Sequence, residues 1–167
     1  MKEPVLVIIK PDGMSKGIMG DIFTKFDQAR LDVLAMRTVK PTREQAENHY
    51  KDLKGLPFFK DTIDYFIGKF HKRKKLLAII YYGENAIKKL RKIAGATNPE
   101  QADPQSIRGA FGRITTKGIY ENVVHVSATK EETRREIVIW FNPDDIPVKI
   151  FPTKTLAVKK AVKKVWA

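Results

Sequence analysis

Three histidines, at positions 49, 71 and 125, are the side chains of this 167-residue sequence that titrate nearest neutrality, and no cysteine accompanies them. A thiol nucleophile, a thiolate zinc site, an iron–sulfur cluster and a disulfide scaffold are therefore excluded together. No HExxH or other pair at ligand spacing occurs, so a transition metal held by the protein is not expected. His71 sits in the charge run His71-Lys72-Arg73-Lys74-Lys75, which reads as a solvated loop, and His49 lies mid-helix beside Tyr50, where it is structural or exposed. His125 differs, because it ends the apolar run Asn122–Val126 just ahead of a helix start, a place where chemistry tends to collect. An imidazole with one nitrogen held by a carboxylate has a fixed tautomer, and its other nitrogen is a nucleophile.

The candidate carboxylate is Glu136. Thr129 and Glu132 form a capping pattern for a helix whose Thr133, Glu136, Ile137, Trp140 and Phe141 share one inward stripe. A charge on that stripe needs a partner, since an unpaired buried one costs several kcal/mol. Helical side chains lean towards the N-terminus, so Glu136, about two turns in from Thr129, points back at the strand end that bears His125. Two pairings stay open: with His125, or with an arginine such as Arg134 or Arg135. Arg91 flanks the apolar stripe of another helix, the loop Gly95-Ala96-Thr97-Asn98-Pro99 follows it, and Arg108 lies a little beyond. Guanidinium groups around a polar loop suit phosphate oxygens. The absence of GxxxxGK[ST] argues against a P-loop and leaves phosphate binding to side chains.

These residues need elements to position them. Pro4–Lys10 reads as a buried strand ending in a Pro11-Asp12-Gly13 turn, and Ile18, Ile22, Phe26 and Ala29 recur at helical spacing over 17–30. A second strand is expected over 31–39. Thr42 and Gln45 form a capping box for a helix towards Tyr50, and another helix begins near Phe58. A third strand spans 76–82, a helix 84–94 ends at Gly95, Asp103-Pro104 starts a short helix, and 122–126 is the fourth strand. The order β-α-β, β-α-β predicts an α+β ferredoxin-like sandwich, a mainly antiparallel four-stranded sheet covered by helices. Residues 1–145 form the expected domain. Pro143, Pro147 and Pro152 make a connector within 146–167, ending in a basic amphipathic helix with Val158, Ala161, Val162, Val165 and Trp166 on one face.

With 32 Lys and Arg against 19 Asp and Glu, the formal charge of +13 favours anionic partners: nucleotides, nucleic acids or lipid head groups. Neither a signal-peptide core nor an apolar run long enough for a membrane span is present, so a soluble cytoplasmic protein is the expectation.

The segments Lys10-Pro11-Asp12-Gly13, Gly17-Ile18-Met19-Gly20-Asp21-Ile22, His49-Tyr50, Pro57-Phe58-Phe59, Gly95-Ala96-Thr97-Asn98-Pro99, Ser106-Ile107-Arg108-Gly109, Asn122-Val123-Val124-His125 and Arg135-Glu136-Ile137 follow one another in an order and spacing that resemble a nucleoside diphosphate kinase over roughly residues 4 to 145. The resemblance implies a Mg²⁺-dependent ping-pong transfer of the γ-phosphate of a nucleoside triphosphate to a histidine and on to a nucleoside diphosphate. It makes His125 that histidine and Glu136 the carboxylate that orients it. Lys10, Arg91, Thr97 and Arg108 match phosphate contacts, Phe58 the aromatic on which the base stacks, Asn122 with Lys10 the contacts to the sugar hydroxyls, and Tyr50 a tyrosine near the histidine. The metal is expected to bridge phosphate oxygens and waters, with no protein ligand named. A homo-oligomer, by resemblance a hexamer, is also implied. The chain departs from the family after His125, where Val126-Ser127-Ala128-Thr129 lacks the usual acidic residue, at Ala110, and in the long 111–121 stretch. The alternative is an inactive kinase-like module that binds nucleic acid or acidic surfaces through its basic patches.

Overall fold

The computed structural model describes residues 2–156. The expected amphipathic helix over 158–166 lies outside the described residues. In chain order the elements are β1 (Lys2–Ile9), α1 (Pro11–Lys16), α2 (Met19–Asp27), β2 (Asp32–Val39), α3 (Arg43–His49), α4 (Phe59–Phe66), β3 (Leu76–Glu84), α5 (Ala86–Ala94), α6 (Ile107–Phe111), β4 (Arg113–Ile114), β5 (Tyr120–Glu121), β6 (Val124–Val126) and α7 (Lys130–Trp140). The main sheet runs β2-β3-β1-β6 with every pairing antiparallel, and β4-β5 is a separate hairpin. The expected α+β ferredoxin-like sandwich is the observed fold.

From Pro4 onwards β1 is continuously apolar because both of its faces are covered, and Val5 to Ile9 are wholly inaccessible. Val5, Val7 and Ile9 pack with Ile22 and Phe26 of α2 and Leu90 of α5, while Leu6 and Ile8 pack with Ala46 of α3, Ile63 and Phe66 of α4, and Ile137 and Trp140 of α7. Each fully buried aliphatic side chain of this kind stabilises the fold by about 1.5–3 kcal/mol. Two helix layers are thereby fixed against one strand, and the site is built at that strand's end.

Four local expectations are corrected. Pro11-Asp12-Gly13 is the first turn of α1, since Lys10 in extended conformation serves as N-cap and the Pro11 ring needs no amide donor at the first helical position. Gly17, at φ 73, then breaks the chain's direction, so the helix expected from 17 begins at Met19. Asp103 spends its carboxylate on the Gln105 amide at 2.8 Å, and Ser106 instead caps α6 by accepting from Gly109 N at 3.1 Å. The strand expected over 122–126 is cut by Val123, which stands at φ 54 with Val124 N donating to Asn122 O at 2.6 Å across it.

Candidate active site

A β-branched residue in the left-handed region is strained, so its surroundings must hold it there. Asp12 Oδ2 accepts from Val123 N at 2.8 Å, and Val123 O accepts from Lys10 N at 2.9 Å. Gly13 leaves the room this clamp needs, because a Cβ there would stand 3.0 Å from both Val123 O and Ile9 Cγ2. The Lys-Pro-Asp-Gly segment thus sets the turn that launches β6.

In β6, His125 is paired with Ile8 of β1. Directly opposed residues of a ladder share a face, so the imidazole projects with Ile8 towards α7 while Val124 and Val126 join the opposite core. Glu136 arrives from the buried stripe of α7, whose start is fixed by Thr129 Oγ1 accepting from Glu132 N at 3.1 Å. Glu136 Oε2 lies 2.9 Å from His125 Nε2 and accepts from Ser127 Oγ at 2.5 Å. Arg135 Nη2 is 3.9 Å from Glu136 Oε1, while Arg135 Nη1 pairs with Asp52 Oδ2 at 2.6 Å. Both pairings left open by the sequence therefore hold at once, and the contact with His125 is the shorter. Burial alone would raise the Glu136 carboxyl, but His125, His49 and the Ser127 hydroxyl outweigh it and hold the group down at about 2.

His49 is buried, which settles the structural-or-exposed alternative. Its Nδ1 accepts from Trp140 Nε1 at 3.3 Å, its ring stacks on Phe66 at 5.2 Å, and its edge meets His125 with centroids 4.4 Å apart. Burial first, then the repulsion the neighbouring His125 ring would exert were both protonated, pushes the His49 imidazole well below its usual range, so it is a neutral wall of the site. His71 is the clear correction: far from being solvated, its Nε2 lies 3.1 Å from the buried Glu121.

The other expected residues converge on one cleft of about 550 Å³, whose lining includes Lys10, Tyr50, Phe58, Arg91, Thr97, Arg108, Asn122 and His125. Lys10 donates from Nζ to Asn122 Oδ1 and lies over the Tyr65 ring, 5.2 Å from its centroid. Asn122 Nδ2 in turn donates to Thr97 O at 2.7 Å. Burial lowers the Lys10 ammonium to about 8, with Asp12 opposing and Arg108 adding to the shift. Arg108 is itself buried and anchored. It donates from Nε and Nη2 to Val124 O at 3.3 and 3.0 Å and from Nη1 to Gly95 O at 2.8 Å, leaving two of a guanidinium's five N–H groups for a ligand. Arg91 reaches Val126 O at 3.5 Å and is otherwise exposed, as are Thr97 and Phe58. Burial pushes the Tyr50 hydroxyl up, so it remains a proton-bearing donor.

The sequence did not single out Ser127 as a partner of Glu136, or Asp12 as the clamp on Val123. The only advance signal for either was its place inside a motif. Three potential metal-ligand atoms, from His49, His125 and Glu136, lie within 4.8 Å of one another. The His49 and His125 nitrogens nearest the carboxylate are already engaged, one by Trp140 and one by Glu136 itself, so the cluster is a hydrogen-bonded network.

A carboxylate-paired imidazole on a ferredoxin-like sheet, facing a cleft lined by two arginines and two lysines, has the chemistry that phosphoryl transfer needs. The family model described as nucleoside diphosphate kinase matches residues 3–146. The chain is 40% identical over 144 residues to the nucleoside diphosphate kinase of Pyrococcus furiosus, covering 86% of each. Among solved structures it resembles the Aquifex aeolicus nucleoside diphosphate kinase, with a TM-score of 0.77, 34% identity and coverage of 87% of this chain and 99% of that one. It also resembles the Borrelia burgdorferi enzyme in a transition-state mimic with bound vanadate and ADP, with a TM-score of 0.77, 29% identity and coverage of 89% and 92%. The chain belongs to the nucleoside diphosphate kinase family.

Proposed function

We propose that this chain moves the γ-phosphate of a nucleoside triphosphate to a nucleoside diphosphate by way of a phosphohistidine on His125. The observation that carries this reading is the 2.9 Å contact between His125 Nε2 and Glu136 Oε2. A carboxylate kept ionised holds the ring proton on Nε2, so the lone pair sits on Nδ1, on the edge of the ring away from α7. Nδ1 attacks the γ-phosphorus, the bond from that phosphorus to the bridging oxygen breaks, and the nucleoside diphosphate leaves with the electron pair. Positive charge that develops on the ring is met by Glu136, whose second partner Ser127 keeps it in place. The second half-reaction reverses these steps with another diphosphate.

Lys10, Arg91, Thr97 and Arg108 serve as phosphate contacts, where cations stabilise the transferring group's equatorial oxygens. Lys10 and Asn122 hold the sugar hydroxyls, Phe58 offers a π-face that accepts any base, and Tyr50 donates beside the imidazole. Mg²⁺ would bind through phosphate oxygens and water and neutralise their charge. The carboxylates on the cleft lining are Asp61 and Glu132, the latter with Oε2 accepting from Ala128 N at 2.8 Å. Residues 1–145 act as the catalytic unit, and 146–167 as an appended connector and basic segment. Assembly into a homo-oligomer is supported by the edge strand β2, which leaves Val33 and Met36 exposed, and the family resemblance favours a hexamer.

Incubation with Mg·ATP tests the reaction. It should give an acid-labile, base-stable phosphoprotein that a nucleoside diphosphate discharges, and His125→Ala should abolish it. A phosphoprotein that survives His125→Ala, or none in the native chain, contradicts the reading.

A further inference from the structure

Two stretches that phosphotransfer leaves unused, the basic run 71–75 and the long 111–121 segment, meet in space. β4 and β5 pair Arg113 with Glu121 and Ile114 with Tyr120, and their connection turns at Gly118, φ 74. Lys117, Ile119 and Tyr120 of this hairpin line the same cleft as Phe58. Tyr120 is 40% exposed and Phe58 52%, so each presents an open aromatic surface. A two-stranded hairpin is marginally stable at best on its own, so its position must be imposed from outside.

The constraint is Glu121. It is buried, accepts from Arg113 Nε at 2.5 Å on Oε2, and faces His71 Nε2 at 3.1 Å on Oε1. Lys16, at the end of α1, brings its Nζ to 4.0 Å from Oε2 and also donates to Phe111 O at 2.8 Å, at the foot of the hairpin. The basic run is anchored separately: Arg73 Nη1 donates to Met14 O at 3.2 Å, and the His71 ring meets Tyr65 edge-on at 5.0 Å. Three segments distant in sequence thus converge on one carboxylate. By contrast, the phosphate-facing Lys10, Arg91 and Arg108 sit at the end of β1, on α5 and on α6, and Arg108 is fixed by Gly95 O and Val124 O, outside the hairpin.

We propose that Glu121 is a positioning residue for the nucleoside end of the cleft: by joining His71 to Arg113 it fixes the β4–β5 hairpin as the wall against which base and sugar bind. It therefore sets affinity for the nucleoside far more than affinity for the phosphate chain, on which it acts only through its charge near Lys10. The inference rests on nucleotides binding in this cleft, as proposed above.

Calorimetric titration near neutral pH with ADP and with inorganic tripolyphosphate separates the two affinities. In Glu121→Gln, which keeps the shape and removes the charge, ADP should bind about tenfold more weakly, the scale of one charge-assisted hydrogen bond. Tripolyphosphate should stay within about twofold, less than any one lost hydrogen bond would produce. His71→Ala should show the same selectivity at smaller amplitude, and it carries the test alone should Glu121→Gln not fold. A purely structural role would weaken both ligands together. Parallel weakening, or unchanged ADP binding in both variants, overturns the inference, as does a native chain that binds tripolyphosphate but not ADP. A native chain that binds ADP yet forms no phosphoprotein contradicts phosphotransfer and leaves the wall standing.

Discussion

At the scale of single residues, catalysis rests on Glu136 being ionised and aimed. Glu136→Gln keeps the side chain's volume but loses the charge that pins the ring proton. Turnover should fall roughly 10²-fold or more, the range of a misdirected acid–base partner, with the KM for nucleotide little changed. The carboxyl is held at about 2 against an ordinary 4.5, so its contribution to stability is fully present above about pH 4.5 and is lost as the pH falls towards 2. Acid unfolding followed by circular dichroism should accordingly be less steep in Glu136→Gln. Lys10 has the opposite sign: a lowered lysine is charged below its folded value and neutral above it. With that value at about 8, kcat/KM should decline as the pH rises through 8. A bound polyphosphate favours the ammonium, so the corresponding limb of kcat should lie at higher pH. Coincident limbs in the two profiles would count against Lys10 as a phosphate contact.

Glu136 was legible in the sequence because a lone carboxylate on an apolar helical stripe demands a partner, and the lean of helical side chains says where to look. His49 and His71 were not. Whether His49 is buried depends on α3 packing against α4 and α7, and the partner of His71 lies 50 residues away at Glu121. Each is a tertiary fact that no local pattern encodes.

At the scale of elements, the turn at Val123 is the joint on which the site depends. Asp12 and the space left by Gly13 hold it. Gly13→Ala should press on both Val123 and Ile9, destabilise the fold by about 1–3 kcal/mol as overpacking does, and lower turnover by displacing Asn122 and His125 together. Thermal unfolding and steady-state kinetics on the same variant check both effects, and an unchanged melting temperature would contradict the clamp. The apolar pattern over 122–126 reads as one unbroken strand and hides the joint, since Val is the last residue expected at φ 54. For a similar reason α1 was read as a turn: Pro-Asp-Gly satisfies both a tight turn and a helix's first turn, and only the extended Lys10 before it decides. The antiparallel four-stranded sheet covered by helices was legible, because alternating apolar runs and capped helices leave few ways to bury both faces of β1.

At the scale of the whole molecule, charge guides the substrate. Among the described residues, no helix is long and apolar enough to cross a membrane. The six lysines from Lys149 onwards come with no acid, so 13 minus 6 still leaves +7 on the rest of the chain. A positive body around a cationic cleft should speed capture of polyanionic nucleotides, and salt should screen that attraction. Raising ionic strength is therefore expected to lower kcat/KM for a nucleoside triphosphate while leaving kcat nearly constant, measured by coupled assay. A kcat that falls in step would place the salt effect on the fold instead.

The architecture as a whole serves to present one nitrogen of one ring. Two-dimensional ¹H–¹⁵N NMR of the isolated phosphoprotein, with ¹⁵N-labelled histidine, identifies which nitrogen of His125 carries phosphorus. The account predicts phosphorus on Nδ1 with the proton retained on Nε2 towards Glu136. Phosphorus on Nε2, or on any residue other than His125, would contradict it.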